Sequence, residues 1–292
     1  MAVYERNFRP FDGELTPERT RFLVLPRYAY QRVLTSRIFV GLLVAWFLWP
    51  LALSILIYVP HNISLLERLG VTSEELSMFG AFRQDAQWFF NWFMIAQTWV
   101  CILVTVIIAP ALISSDLRNN GLPLYLGRPF SRTEYILGKF SVLAILLSAI
   151  SWVPGLALFF LRSYLAGFGW FAGNLRIGAA IFLGCWIWIL VLSVLGLAAS
   201  AHFKWRPVAG LAVLAVFVLS ALLASTLNLM FGTYWFDLIN LTQMAYAVWA
   251  HLFDIDNTVQ IPTGLAWLSL LTFCSFCVWL LYRKIRAYEI VR

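Results

Sequence analysis

IGAAIFLGCWIWILVLSVLGLAAS, residues 177–200, carries no ionisable acid, base or histidine along its whole length. About 20 apolar residues in a helix cross the hydrocarbon core of a bilayer, so this stretch alone predicts a transmembrane helix. Five further runs meet the same criterion, at about 38–60, 90–113, 138–161, 208–231 and 263–282. Of the 292 residues, 62% are apolar and 12% charged. A water-soluble domain of that size has no way to hide so much hydrocarbon surface, so lipid must cover it. The predicted fold is an all-α integral membrane protein with six spans. Pro207 and Pro262 stand where the fifth and sixth helices should begin. Pro50 and Pro154-Gly155 lie inside the first and third runs, where a kink is tolerated if a neighbour satisfies the freed carbonyl.

The basic residues set the expected orientation. Seventeen of the 21 Lys and Arg fall in 1–37, 114–139, 201–207 and 283–292, all on one side of the predicted plan. The other side holds Arg68, Arg83, Arg162 and Arg176. The positive-inside rule then places both termini in the cytoplasm. The formal charge of +7 is read as a topology signal and an anchor to the anionic leaflet, with no nucleic acid implied. Residues 1–37 are polar and Arg-rich, without a signal-peptide pattern, so the first span is expected to double as the signal anchor.

With these boundaries all fourteen Asp and Glu, and His61, His202 and His251, fall outside the spans. An ionisable group at membrane depth costs at least about 2.5–3.5 kcal/mol and is kept for a use. Proton relays and haem ligation need such groups, so the driving energy is expected from elsewhere. Cys101, Cys185, Cys274 and Cys277 all lie in apolar runs, which leaves no disulfide framework between external loops. Cys274-x-x-Cys277 puts two sulfurs on one helix face and is read as packing rather than as a metal site. Asp254-x-Asp256-Asn257 starts like a calcium loop but lacks its downstream Gly and Glu. No metal is expected.

The polar interruption SSDLRNNGLPLYLGRPFSRTEYILGK, 114–139, is built as more than a connector. Gly121 and Pro123 permit a turn, and Leu122, Leu124, Tyr125 and Leu126 form an apolar ridge. Pro129 breaks the chain, and Ser131 with Glu134 has capping-box spacing for a helix running through Lys139. Asp116, Arg118, Arg128, Arg132 and Glu134 would rim the ridge on a partner surface. The segment resembles the cytoplasmic loop of ABC-2 type transporter permeases, with Arg128-Pro129-Phe130-Ser131-Arg132-Thr133-Glu134 followed by Gly138-Lys139. The front end departs from the family pattern, because Asp116 stands five residues before Gly121. Motif identity is confined to this loop, while the six-span plan matches throughout.

The resemblance implies the ABC-2, type V exporter-like fold and a role in export for a permease subunit. In that family the loop is the coupling helix that engages cytosolic ABC ATPase subunits. A second permease, identical or related, would complete a homo- or heterodimer. The chain has no Gly-x-x-x-x-Gly-Lys-Ser/Thr loop, so it is not expected to be an enzyme. ATP and Mg would be bound by the partner ATPase, with no cofactor in this chain. Three regions follow: a cytoplasmic segment 1–37, a membrane domain 38–282, and a tail 283–292. The resemblance also implies an interfacial helix before the first span, where Arg27, Tyr28, Arg32 and Arg37 fit an amphipathic pattern. Residues 232–262, aromatic and free of Lys and Arg, fit one or two short helices at the outer face. Phe236, Met244, Tyr246, Trp249 and Phe253 would form an outer gate. Residues 61–89, with Thr72-x-x-Glu75 as a cap, suggest a short helical excursion. Asn62-Ile63-Ser64 and Asn240-Leu241-Thr242 match glycosylation sequons. The expected location is a prokaryotic inner or plasma membrane, with an amphipathic or lipid-like cargo. The alternatives are a non-transporting anchor or scaffold for a partner complex and a membrane-embedded redox or enzyme subunit.

Overall fold

A computed structural model describes residues 30–31, 34–59, 85–119, 132–257 and 259–285. The described residues are helical, with no strand among them. Six helices are long and apolar enough to cross a membrane: α1 (Arg37–Tyr58, spanning from Phe39), α2 in Ala86–Arg118, then Arg132–Ala166, Leu175–His202, Arg206–Phe231 and Thr263–Lys284. The third span is two helices, α3 (Arg132–Ile150) and α4 (Trp152–Ala166). A short α5 (Phe168–Gly173) leads into α6 (Leu175–His202), followed by α7 (Arg206–Phe231). A 3₁₀ turn (Trp235–Ile239) and α8 (Leu241–Phe253) precede α9 (Thr263–Lys284). All six predicted apolar runs are helices, at nearly the predicted bounds.

Burial sorts the spans into an inner and an outer set. The apolar windows of α2, α3–α4 and α6 are 61–67% buried, while those of α1, α7 and α9 are only 22–28% buried. The inner helices are therefore the core, and the outer three present Leu, Val, Phe and Trp side chains outward, as lipid contact demands. Small residues let the inner helices approach. A Cβ built on Gly196 of α6 would come within 2.6 Å of the Ala109 Cβ of α2. Without a hydrophobic force between helices in lipid, such close van der Waals contact is the main source of association.

The break at Pro154 is matched by a side chain on a neighbouring helix. Pro154 has no N–H to offer the Ile150 carbonyl, and the indole Nε1–H of Trp46, on α1, donates to it at 2.9 Å. Pro110 also lies inside α2, where its missing N–H frees the Val106 carbonyl, and the turn that follows is pinned from α6. There the hydroxyl of Ser200, on α6, accepts the amides of Ile113 and Ser114 at 3.1 and 2.9 Å and donates to the Pro110 carbonyl at 3.3 Å. Ser114 Oγ returns the contact, donating to the Ser200 carbonyl at 2.9 Å. Helix ends follow the sequence cues. Pro207 lies in the first turn of α7, Gly232 ends it in the left-handed region at φ 61°, and Pro262 precedes α9.

Two features modify the expectations. Phe89–Met94 forms a π-helical turn at the start of α2, bringing Phe89, Phe90, Phe93 and Met94 together into the core. In addition, α2 and the third span are 33 and 35 residues long, about 50 Å each against a hydrocarbon core of about 30 Å. Asp116 and Glu134, expected beyond the spans, therefore belong to these continuous helices near their ends. The overhang lets both helices continue past the lipid.

Gly196→Val should destabilise the protein by about 1–3 kcal/mol through overpacking against Ala109 and Thr105. Gly169→Val, at a position with open space around it, should leave thermal unfolding in detergent unchanged. Equal melting of the two variants would contradict this packing.

Candidate functional site at the ends of the second and third spans

The helices flanking residues 120–131 are bound together by charge. Lys139 Nζ on α3 lies 2.9 Å from Asp116 Oδ2 on α2, with side-chain exposures of 9% and 17%. The hydroxyl of Tyr135, a fully buried side chain one turn before Lys139, donates to the same Asp116 oxygen at 2.8 Å. The ammonium also lies 5.5 Å from the Tyr135 ring centroid. Asp116 thus receives a cation and a hydroxyl, which offset the desolvation of its carboxylate. The sequence assigned Asp116 to the rim of a partner surface and Lys139 to ATPase coupling. The structure instead turns both inward, onto each other, because a charge this close to the packed helices needs its counter-charge within reach.

Other candidates in this region divide clearly. Arg118 is exposed at the last turn of α2, and Arg132 is exposed at the first residue of α3. Glu134 sits in the first turn of α3, where a carboxylate favours the positive end of the helix dipole. Gly121, Leu122, Leu124, Tyr125, Leu126, Arg128, Pro129 and Ser131 lie outside the described residues, as do Arg27, Tyr28 and Arg32. Arg37 opens α1 and is exposed. Tyr30, just before it, is half-buried and donates its hydroxyl to the Ser141 carbonyl at 2.9 Å. Burial pushes that phenol up to about 12. Tyr30 therefore touches α3 two residues beyond Lys139 in the sequence.

This end of the bundle gathers charge. Arg37, Arg118, Arg132, Lys139, Lys204, Arg206, Arg283 and Lys284 all lie at helix ends that the alternation of spans brings to one side. Contacts agree with that grouping: Thr133 Oγ1 is 3.1 Å from the Tyr282 hydroxyl, and Ser114 meets Ser200. Arg162 and Arg176 lie at the opposite end.

The opposite end is closed by α8. Asn240 caps it, accepting the amides of Thr242 and Gln243 at 3.2 and 3.5 Å. Asn240 is 8% exposed, so the second sequon is occupied by a structural task. Arg176 holds the far end of the helix, donating to the carbonyls of Leu252 and His251 at 3.1 and 2.9 Å and pairing with Asp254 at 2.8 Å. A guanidinium there also favours the negative end of the helix dipole. Asp254, the first residue of the calcium-like triplet, is thus engaged by Arg176. The expected surface helix is instead wedged into the bundle. Met244, Trp249 and Phe253 are buried, while Phe236 and Tyr246 are half-buried. Trp249 Nε1–H donates to the Gly184 carbonyl at 3.0 Å, and Phe90 of the π turn stacks edgewise on Tyr246 and Phe253.

Between the two ends runs a polar seam where α2 faces α6. Gln97, fully buried, donates to Cys185 Sγ at 3.0 Å, and its Oε1 meets no partner among the described residues. The same holds for Trp188 Nε1 and Ser193 Oγ further along α6. An amide, an indole, hydroxyls and a thiol can recognise an uncharged polar group. None of these groups relays protons as a carboxylate or imidazole does. Cys274 and Cys277 sit elsewhere, on α9, half-buried and buried respectively.

Tyr135 and Gln97 were missed by reasoning from sequence. Tyr135 stands four residues before Lys139, so the shared helix face was legible, but its carboxylate partner across the loop was not. Gln97 was visible as a lone amide in an apolar run. No family model matches the chain, and no curated protein matches it.

Lys139→Met, which leaves Asp116 without its cation, should cost about 3–5 kcal/mol. Tyr135→Phe should cost about 1.5–3 kcal/mol, the loss of a hydrogen bond to a charged group. Asp116→Leu combined with Lys139→Met should recover most of the loss from Lys139→Met alone. Additive losses in thermal unfolding would show that the two residues act separately.

Proposed function

We propose that this chain is the transmembrane permease subunit of an ATP-driven ABC-2 type exporter. The observation that carries the reading is the run Arg128-Pro129-Phe130-Ser131-Arg132-Thr133-Glu134 with Gly138-Lys139. In the sequence it follows the second of six helices able to cross a membrane and runs into the first turns of the third. In this reading 114–139 is the coupling loop, and two cytosolic ATPase subunits supply ATP, Mg and hydrolysis. Both termini lie in the cytoplasm, and the basic end of the bundle faces the ATPases. A second permease completes the path in a prokaryotic inner membrane.

Three structural features support the reading. The ends of α2 and α3 that flank 120–131 belong to helices longer than a hydrocarbon core requires. The buried Asp116–Lys139–Tyr135 contact joins those ends so that they move as one body. A lever needs that stiffness, because a push on a slack loop would be absorbed before reaching the spans. At the far end, α8 closes the bundle where an exporter must open it. The interior offers neutral polar groups, which suits an amphipathic or lipid-like cargo.

The test is nucleotide turnover by the co-purified ATPase in liposomes. Leu124→Asp or Arg132→Glu should abolish its stimulation while leaving the permease folded. Turnover unchanged by both variants would favour a non-transporting membrane anchor. Cysteine labelling of Asn119→Cys from the outer side of the cell would overturn the topology.

A further inference from the structure

At the basic end, the termini of α6 and α9 enclose an open cavity of about 360 Å³ lined by His202, Leu280, Arg283 and Lys284. We infer that this cavity is a binding site for the phosphate headgroup of an anionic phospholipid. The inference requires only that the bundle sits in a membrane, and it is independent of the transport reading.

Among the described residues the lining carries a guanidinium, an ammonium and an imidazole, and no carboxylate. Among the described residues neither Arg283 nor Lys284 forms an ion pair. His202 engages the Ala198 carbonyl through Nδ1 at 2.9 Å, which fixes the ring against α6 as a wall of the cavity. Arg283 is held in place by the ring of Trp279, its guanidinium carbon 5.2 Å from the centroid. A planar fork and an ammonium around one space match the several acceptor oxygens of a phosphodiester.

The surroundings identify the anion as a lipid. The cavity lies at the end of two membrane-spanning helices, the level at which headgroups reside. Below it on α9, Trp279 and Phe276 stack at 5.9 Å and are 51% and 55% exposed. That aromatic shelf continues from the cavity along the lipid-facing surface, where an acyl chain attached to the headgroup would lie. A soluble phosphate would use the cations and gain nothing from the shelf.

The experiment is a native mass spectrometry titration of delipidated protein with phosphatidylglycerol, phosphatidylcholine and inorganic phosphate. Phosphatidylglycerol should bind saturably, one per chain, and at least about tenfold more tightly than phosphatidylcholine. Arg283→Gln with Lys284→Gln should weaken it by roughly thirtyfold. Leu280→Trp, which fills the cavity and keeps every charge, should abolish it, and this variant decides the matter if the double variant fails to fold. Lys204→Gln, an exposed cation at the same end but outside the cavity lining, should change affinity less than about twofold. Equal binding of the two lipids would overturn the site, as would an equal loss on Lys204→Gln. Displacement of phosphatidylglycerol by equimolar inorganic phosphate would overturn the lipid assignment.

Discussion

Inside a bilayer no water is at hand to take up a freed backbone carbonyl or amide, and every other feature of this bundle adjusts to that constraint. Regular helix satisfies it by default. Where Pro154 removes a donor, Trp46 reaches across from α1 to supply one. In the turn after Pro110, Ser200 inserts its hydroxyl from α6 and bonds the Pro110 carbonyl and the Ile113 and Ser114 amides. A side-chain hydrogen bond of this kind contributes roughly 0.6–2 kcal/mol in membranes. The repairs also fix which helices are neighbours, since a donor placed on the wrong span leaves the carbonyl bare. Kinks and helix pairing are therefore one problem with one solution.

Charge enters the bundle under the same restriction. At the basic end, Asp116 and Lys139 face each other at 2.9 Å, with the Tyr135 hydroxyl as a third member. Compared with two well-packed apolar residues such a pair adds little net stability, because desolvation consumes most of the attraction. What it adds is register: α2 and α3 cannot slide or rotate against each other without separating opposite charges in a poorly solvated place. At the other end Arg176 does similar work for α8, with more solvent around it and three acceptors on one guanidinium. Both ends are pinned, while the middle is held by small-residue contact and the sparsely satisfied seam of Gln97, Trp188 and Ser193.

The helix count, the approximate bounds, the one-sided distribution of Arg and Lys and the placement of short helices before the last span were all legible in the sequence. They depend on local hydropathy and on residues such as Pro207, Gly232 and Pro262, whose effect is confined to their own neighbourhood. The lone Gln97 and the Tyr135 to Lys139 spacing were visible too, without their meaning. Other features were beyond reach, because each joins residues far apart in the chain. Ser200 serving Pro110, Trp46 serving Ile150 and Arg176 closing α8 are of that kind.

What the sequence settled by itself is where the chain meets lipid: a long uncharged run has no lower-energy place to be, so 177–200 needs no tertiary context. What only the folded bundle decided is which polar groups pair. Asp116 turned inward to Lys139 rather than outward because the two overhanging helix ends bring them to 2.9 Å, a distance set by packing between spans. The burial of α8 has the same origin, since Trp249 finds its acceptor in a backbone carbonyl of α6 exposed by the absence of a side chain at Gly184. Hydropathy acts residue by residue, whereas the pairing of buried polar atoms is a property of the whole arrangement.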